Sequence, residues 1–147
     1  MTWQEEVCRE AHEWIGTPYI PKGRVKGVGA DCGGLLYEIY NPHFGPFRAF
    51  PSEKYSADWA NHTDVEMYLD FIMPHVKEVF EPILGGFSLF HVGHVYSHAA
   101  IYVGDRFYIH AWGRKHAGGV TKTRDRVLFH MGDKFYPPRH FAPKDKE

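Results

Sequence analysis

Apolar positions recur at helical spacing before Asn41 and alternate with polar ones after Gly85, so helices should come first and strands later. Trp3, Val7, Ala11, Trp14 and Ile15 share one stripe, predicting an amphipathic helix over Trp3–Ile15. Thr2 and Glu5 form the S/T-x-x-E pattern of a capping box, and Gly16-Thr17-Pro18 ends the helix. Cys8 lies at the flank of that stripe, where a small buried hydrophobe is expected. A Gly- and Lys-rich loop over Tyr19–Gly29 follows. Leu35, Leu36 and Ile39 then mark a second helix, Cys32–Tyr40, with Asp31 as N-cap and Asn41-Pro42 as stop. Residues 41–62 are rich in Pro and aromatics and read as an ordered excursion. Thr63-Asp64-Val65-Glu66 opens a third helix that Pro74 ends or kinks.

From Gly85 the pattern predicts strands at Phe87–Val92, Ser97–Val103, Arg106–Trp112 and Gly119–Thr123, with weaker ones at Val127–Phe129 and Arg139–Phe141. Helices followed by strands give an α+β class, N-terminal helices packed on a meandering antiparallel sheet. The hairpin about Gly104-Asp105 carries a testable register. Ala99, Ile101 and Val103 share one face with Phe107, Ile109 and Ala111 if Ile101 opposes Phe107 and Ala99 opposes Ile109. His98 then opposes His110 on the other face. A three-residue connection, Val103-Gly104-Asp105, or an equivalent bulge is needed, because a plain two-residue turn would separate the histidines.

Length and charge narrow the class. The 147 residues are read as one domain, 1–147, with an excursion at about 41–80. A net charge of −1 gives no bulk attraction for nucleic acid or membrane, and neither is expected as a partner. The eleven histidines and 16% aromatics suit a pocketed enzyme. Cys8 and Cys32 make no disulfide framework, and Met1–Glu6 has no signal-peptide core. Synthesis in the cytoplasm is the corresponding expectation.

The chemistry gathers at Asp31-Cys32-Gly33-Gly34. A cysteine at a helix start meets the positive end of the helix dipole and unengaged N–H groups, which favour thiolate. His98 and His110 can complete a Cys–His–His relay. Without the cysteine, the same two histidines read as polar residues on a solvated sheet face. His91, His94 and His98 raise a zinc alternative, but the segment reads as strand and turn with no nearby Cys or carboxylate. No metal or cofactor is therefore expected, and His91 and His94 read as cleft-rim or surface residues.

Four strings resemble one family: Gly16-Thr17-Pro18-Tyr19, Gly29–Leu35, Ser97–Gly104 and Tyr108–Ala111 are similar, in order and spacing, to the NlpC-type papain-like cell-wall cysteine peptidases. Trp14–Tyr19 and Tyr55–Trp59 look closer to the branch associated with phage and gene-transfer-particle tails. The resemblance implies a papain-like NlpC fold and hydrolysis of amide bonds in peptidoglycan stem peptides, typically between D-glutamate and the following diamino acid. It also implies Cys32 as nucleophile, His98 as general base, His110 as orienting residue and Tyr19 as oxyanion support. Phage-tail or other particle proteins would be partners, and the protein would act on the wall after carriage in a virion tail. One departure stands out: Gly86-Phe87-Ser88 replaces the family's Gly-Asp before the strand leading to the catalytic histidine. A structural tail component without activity, and a related thiol amidase or acyltransferase, are the alternatives. The basic loop Lys22–Lys26 is a solvated loop or a receiver of stem-peptide carboxylates.

Overall fold

The computed structural model describes residues 1–21, 23–44, 73–93, 95–113 and 118–144. Helix α1 spans Trp3–Glu13 and begins as its capping box dictates. Thr2 Oγ1 accepts from Glu5 N at 3.1 Å while Glu5 Oε1 accepts from Thr2 N at 3.0 Å. It stops two residues before Ile15, because the Trp14 N–H tightens onto Ala11 O and Gly16 turns the chain at φ 95°. Val7, Ala11 and Trp14 are buried and Ile15 is exposed, so the stripe is real but shorter than its spacing suggested.

Two short strands, β1 (Arg24–Val25) and β2 (Gly29–Ala30), pair antiparallel inside the glycine-rich loop and lead into helix α2, Cys32–Phe44. The expected stop at Asn41-Pro42 does not occur. Pro42 removes one backbone donor, yet its fixed φ suits a helix, and the chain continues to Phe44. Residues 41–44 therefore belong to α2 and not to an excursion. Pro74 lies in a single 3-10 turn, Met73–His75, which delivers the chain to β3, Val76–Val79, a strand the apolar pattern did not announce. The third helix expected at Thr63–Glu66 and the Tyr55–Trp59 string fall outside the described residues.

Strands β4 (Phe87–Val92), β5 (Val95–Gly104), β6 (Phe107–Trp112), β7 (Gly119–Arg124) and β8 (Arg139–Pro143) complete a six-stranded antiparallel sheet. Its order is β3-β8-β4-β5-β6-β7, a meander from β4 to β7 flanked by β8 and β3. Val127–Phe129, expected as a strand, lies inside helix α3, Asp125–Met131. Three consecutive apolar residues carry no period; burial of Leu128 against Phe90, Ala100 and Tyr108 decides for helix. The sheet is thus covered on both faces. Leu35, Leu36 and Ile39 of α2 pack with Leu89, Ala99, Ile101, Ile109 and Ala111 in one cluster, and α3 closes the other.

The β5–β6 register differs from the expectation by two residues. Ile101 opposes Ile109 and Tyr102 opposes Tyr108. The connection is a two-residue turn, Asp105-Arg106, at φ 54° and 66°, and Val103 is the extra residue of a bulge between Tyr102 and Gly104. A bulge inverts the parity that a two-residue turn would set. A shift of two preserves faces, so His98 and His110 still share one, as diagonal neighbours. That face is not solvated: His110 is fully buried and α3 packs over the strands beside it.

Candidate active site

The start of α2 is held from three directions. Asp31, itself buried, caps the helix by accepting from Gly34 N at 2.7 Å through Oδ1. Its own N–H donates to Gly23 O at 3.3 Å, tying the cap to the loop before it. A Cβ on Gly34 would run into that same Gly23 carbonyl, so Gly34 is required by close packing of loop on helix. Tyr19 enters alongside. It bridges Ala30 in parallel fashion, with Ala30 N donating to Pro18 O at 2.9 Å and Ile20 N to Ala30 O at 3.2 Å. Its neighbour Pro18 pairs with Gly119, which fixes the segment to β7.

Cys32 is the first residue of α2, half-buried against the helix-side core. Its thiol donates to Ser97 O at 3.4 Å, the carbonyl of the residue before His98. Neither cysteine forms a disulfide. Cys8 is a different kind of thiol: burial pushes it up, away from the reactive range.

His98 and His110 meet directly. His98 Nε2 and His110 Nδ1 share a hydrogen bond of 2.8 Å, with the rings nearly perpendicular at 88°. His110 Nε2 and Thr123 Oγ1 share another at 2.9 Å. Phe90 lies 6.4 Å from the His98 ring, and Trp112 lies 6.4 Å from His98 and 4.7 Å from His110. These walls strip water from the pair, and burial pushes the His98 imidazole down to about 4. A neutral imidazole can accept a proton, and the Cys32 thiol is tied to the same strand through the carbonyl of the residue before His98. Thr123, Phe90 and Trp112 were not singled out from the sequence. Only the β6–β7 register, Tyr108 opposite Thr123 and His110 opposite Thr121, puts the Thr123 hydroxyl diagonal to His110.

Other sequence candidates fall elsewhere. His91 is buried, not on a rim or surface; it stacks on Tyr136 with centroids 4.1 Å apart and meets Tyr96 edge-on at 5.1 Å. His94 lies outside the described residues, and among those described no His, Cys, Asp and Glu cluster suits a metal ion. The basic loop spends its charge internally: Arg24 pairs with Glu38 at 2.8 Å, and Lys26 pairs with Glu10 at 2.7 Å and Glu13 at 2.9 Å. Lys22 lies outside the described residues. Ser88, in the Gly86-Phe87-Ser88 string that departs from the resembled pattern, is fully buried, 2.7 Å from Tyr108 Oη and 2.6 Å from His140 Nδ1. A cavity of about 370 Å³ lies on the β3–β8 side, lined by Glu78, Phe80, Arg139 and His140, apart from the cysteine and histidines.

No family model matches the sequence, and no curated protein matches it. Solved structures do. The NlpC/p60 domain of the peptidoglycan hydrolase SagA is 20% identical, over 95% of this chain and 97% of that one, with a TM-score of 0.57. NlpC1 from Trichomonas vaginalis is 17% identical over 96% of this chain, with a TM-score of 0.61; the match spans 44% of that protein. The peptidoglycan hydrolase RipB from Mycobacterium tuberculosis is 25% identical over 83% of this chain and 58% of its own, with a TM-score of 0.51. With helices preceding an antiparallel sheet, and a cysteine-started helix set against its second meander strand, the chain has the fold of the NlpC/p60 domains.

Proposed function

We propose that the protein is a cysteine peptidase that hydrolyses amide bonds of peptidoglycan stem peptides. The observation that carries this reading is the 2.8 Å His98–His110 hydrogen bond on the strand pair whose Ser97 carbonyl receives the Cys32 thiol. Two of the similar solved structures are described as peptidoglycan hydrolases, which supports the same substrate class.

In this mechanism the Cys32 thiol leaves Ser97 O and gives its proton to His98 Nδ1, the ring nitrogen not engaged by His110. The thiolate attacks the amide carbonyl, and the backbone N–H of Cys32, with the Tyr19 hydroxyl, stabilises the oxyanion; one such donor contributes about 3 kcal/mol. His98 passes the proton to the leaving amine, releasing it and leaving a thioester. Water, activated by the same imidazole, attacks the thioester and returns the enzyme. His110 holds His98 in orientation and tautomer throughout. With Arg24 and Lys26 already ion-paired, substrate carboxylates are left to other groups. The finer reading, a D-glutamyl–diamino acid bond cut by a domain carried in a phage tail, rests on the sequence strings that resemble that branch.

Digestion of purified cell walls by the wild-type protein and by Cys32→Ala, with mass spectrometry of the released fragments, tests the proposal. Stem-peptide cleavage products from the wild type alone support it. Equal release by both proteins would sink it in favour of a structural role. Acyl transfer to an added amine without hydrolysis would assign the acyltransferase chemistry instead.

A further inference from the structure

The relay does not end at His110. Its Nε2 lies 2.9 Å from Thr123 Oγ1, and His110 is fully buried, so this nitrogen has no ready access to solvent water. Two neutral histidines joined through Nε2 and Nδ1 share one proton, which gives two arrangements. In the first, His98 Nε2–H donates to His110 Nδ1; His98 Nδ1 is then a lone pair, and His110 Nε2–H donates to Thr123. In the second, His110 Nδ1–H donates to His98 Nε2; His98 Nδ1 then carries the proton and cannot act as a base. Protonated His98 also needs the first arrangement, because its Nε2–H must donate to His110. Every state in which His98 takes or holds the thiol proton therefore leaves a proton on His110 Nε2 to be accepted, and Thr123 Oγ1 stands at hydrogen-bond distance from it. A buried N–H without an acceptor is less tolerable than an unfilled lone pair. Losing the hydroxyl would push the pair toward the second arrangement.

We propose that Thr123 is a positioning residue of the relay: its hydroxyl accepts the His110 Nε2 proton and so keeps His98 Nδ1 unprotonated. The inference deepens the peptidase reading but rests on hydrogen-bond geometry, and its test does not require wall hydrolysis. Imidazole nitrogen shifts, measured by NMR on the wild-type protein at neutral pH, should place the His98 proton on Nε2 and the His110 proton on Nε2. Thr123→Val should transfer population to His98 Nδ1–H and slow alkylation of Cys32 by iodoacetamide roughly tenfold or more. Thr123→Ser should restore both the shifts and the rate. Wild-type protein with His98 protonated on Nδ1 would overturn the proposal whether or not any variant folds. So would a folded Thr123→Val with wild-type shifts and rate. Loss of wall hydrolysis alone, with the tautomers as stated, would count against the peptidase reading and leave Thr123 in its role.

Discussion

At the scale of single residues, the site is governed by what surrounds His98. Phe90, Trp112 and His110 are its ring neighbours among the described residues, none of them a carboxylate, and burial lowers it to about 4. The consequence for stability has a definite sign. The unfolded chain protonates His98 near its ordinary 6.5, the folded chain only near 4, so the stabilising contribution is whole above pH 6.5 and is lost as pH falls through that window. The gap corresponds to roughly 3 kcal/mol at most. Urea unfolding from pH 7 to pH 4.5 should show wild type losing stability more steeply than His98→Gln. His140 is also lowered, chiefly by burial, but it is present in both proteins and cancels in the comparison. Parallel curves would mean that His98 is not held neutral. The same shift leaves the base unprotonated in mildly acidic solution, where a surface histidine would already be charged.

At the scale of elements, the β5–β6 hairpin decides whether two histidines meet. Its turn places two non-glycine residues in the left-handed region, Asp105 at φ 54° and Arg106 at φ 66°. The Arg106 backbone is used fully: its N–H donates to Tyr102 Oη at 3.2 Å and its carbonyl accepts from Asp125 N at 2.7 Å. Replacing Asp105-Arg106 by Asn-Gly keeps those backbone bonds and removes the left-handed strain at 106. A gain of about 1 kcal/mol follows, seen as a rise of roughly 2–4 °C in the thermal midpoint. An unchanged or lowered midpoint would show that the strain is absent or offset. This hairpin also marks the limit of what the sequence discloses. Alternation in 99–103 and 107–111 identified the faces, because faces depend only on parity. It could not identify Val103 as the bulged residue, since parity is unaltered by a slip of two. The α1 cap was legible because all its partners lie within four residues. Helix α3 was not, because its assignment depends on Leu128 meeting strands far away in the chain. Thr123 was invisible for the same reason: its relation to His110 exists only through the β6–β7 pairing.

Across the whole molecule, a buried polar chain links the outer flank of the sheet to the strands that carry the relay. Ser88 of β4 sits between His140 of β8 and Tyr108 of β6, and Tyr108 lies opposite Thr123 in the β6–β7 ladder. A buried hydroxyl between two polar partners contributes little as a simple sum, but removing it strands the group left behind. Ser88→Ala should therefore cost about 1–3 kcal/mol, because the fully buried Tyr108 hydroxyl loses its partner while His140 is only half-buried. Tyr108→Phe alone should cost about 1 kcal/mol, since Ser88 keeps His140. The double variant should cost less than the two single changes added together, by about 1 kcal/mol, because the second substitution removes the very group the first had orphaned. Denaturant unfolding of the four proteins gives the coupling directly. Strict additivity would show that Ser88 and Tyr108 do not act as a pair. Ser88 would then be a filler of space, and the β8 flank would be held by apolar packing of Phe87 on Phe141 without polar help from β6.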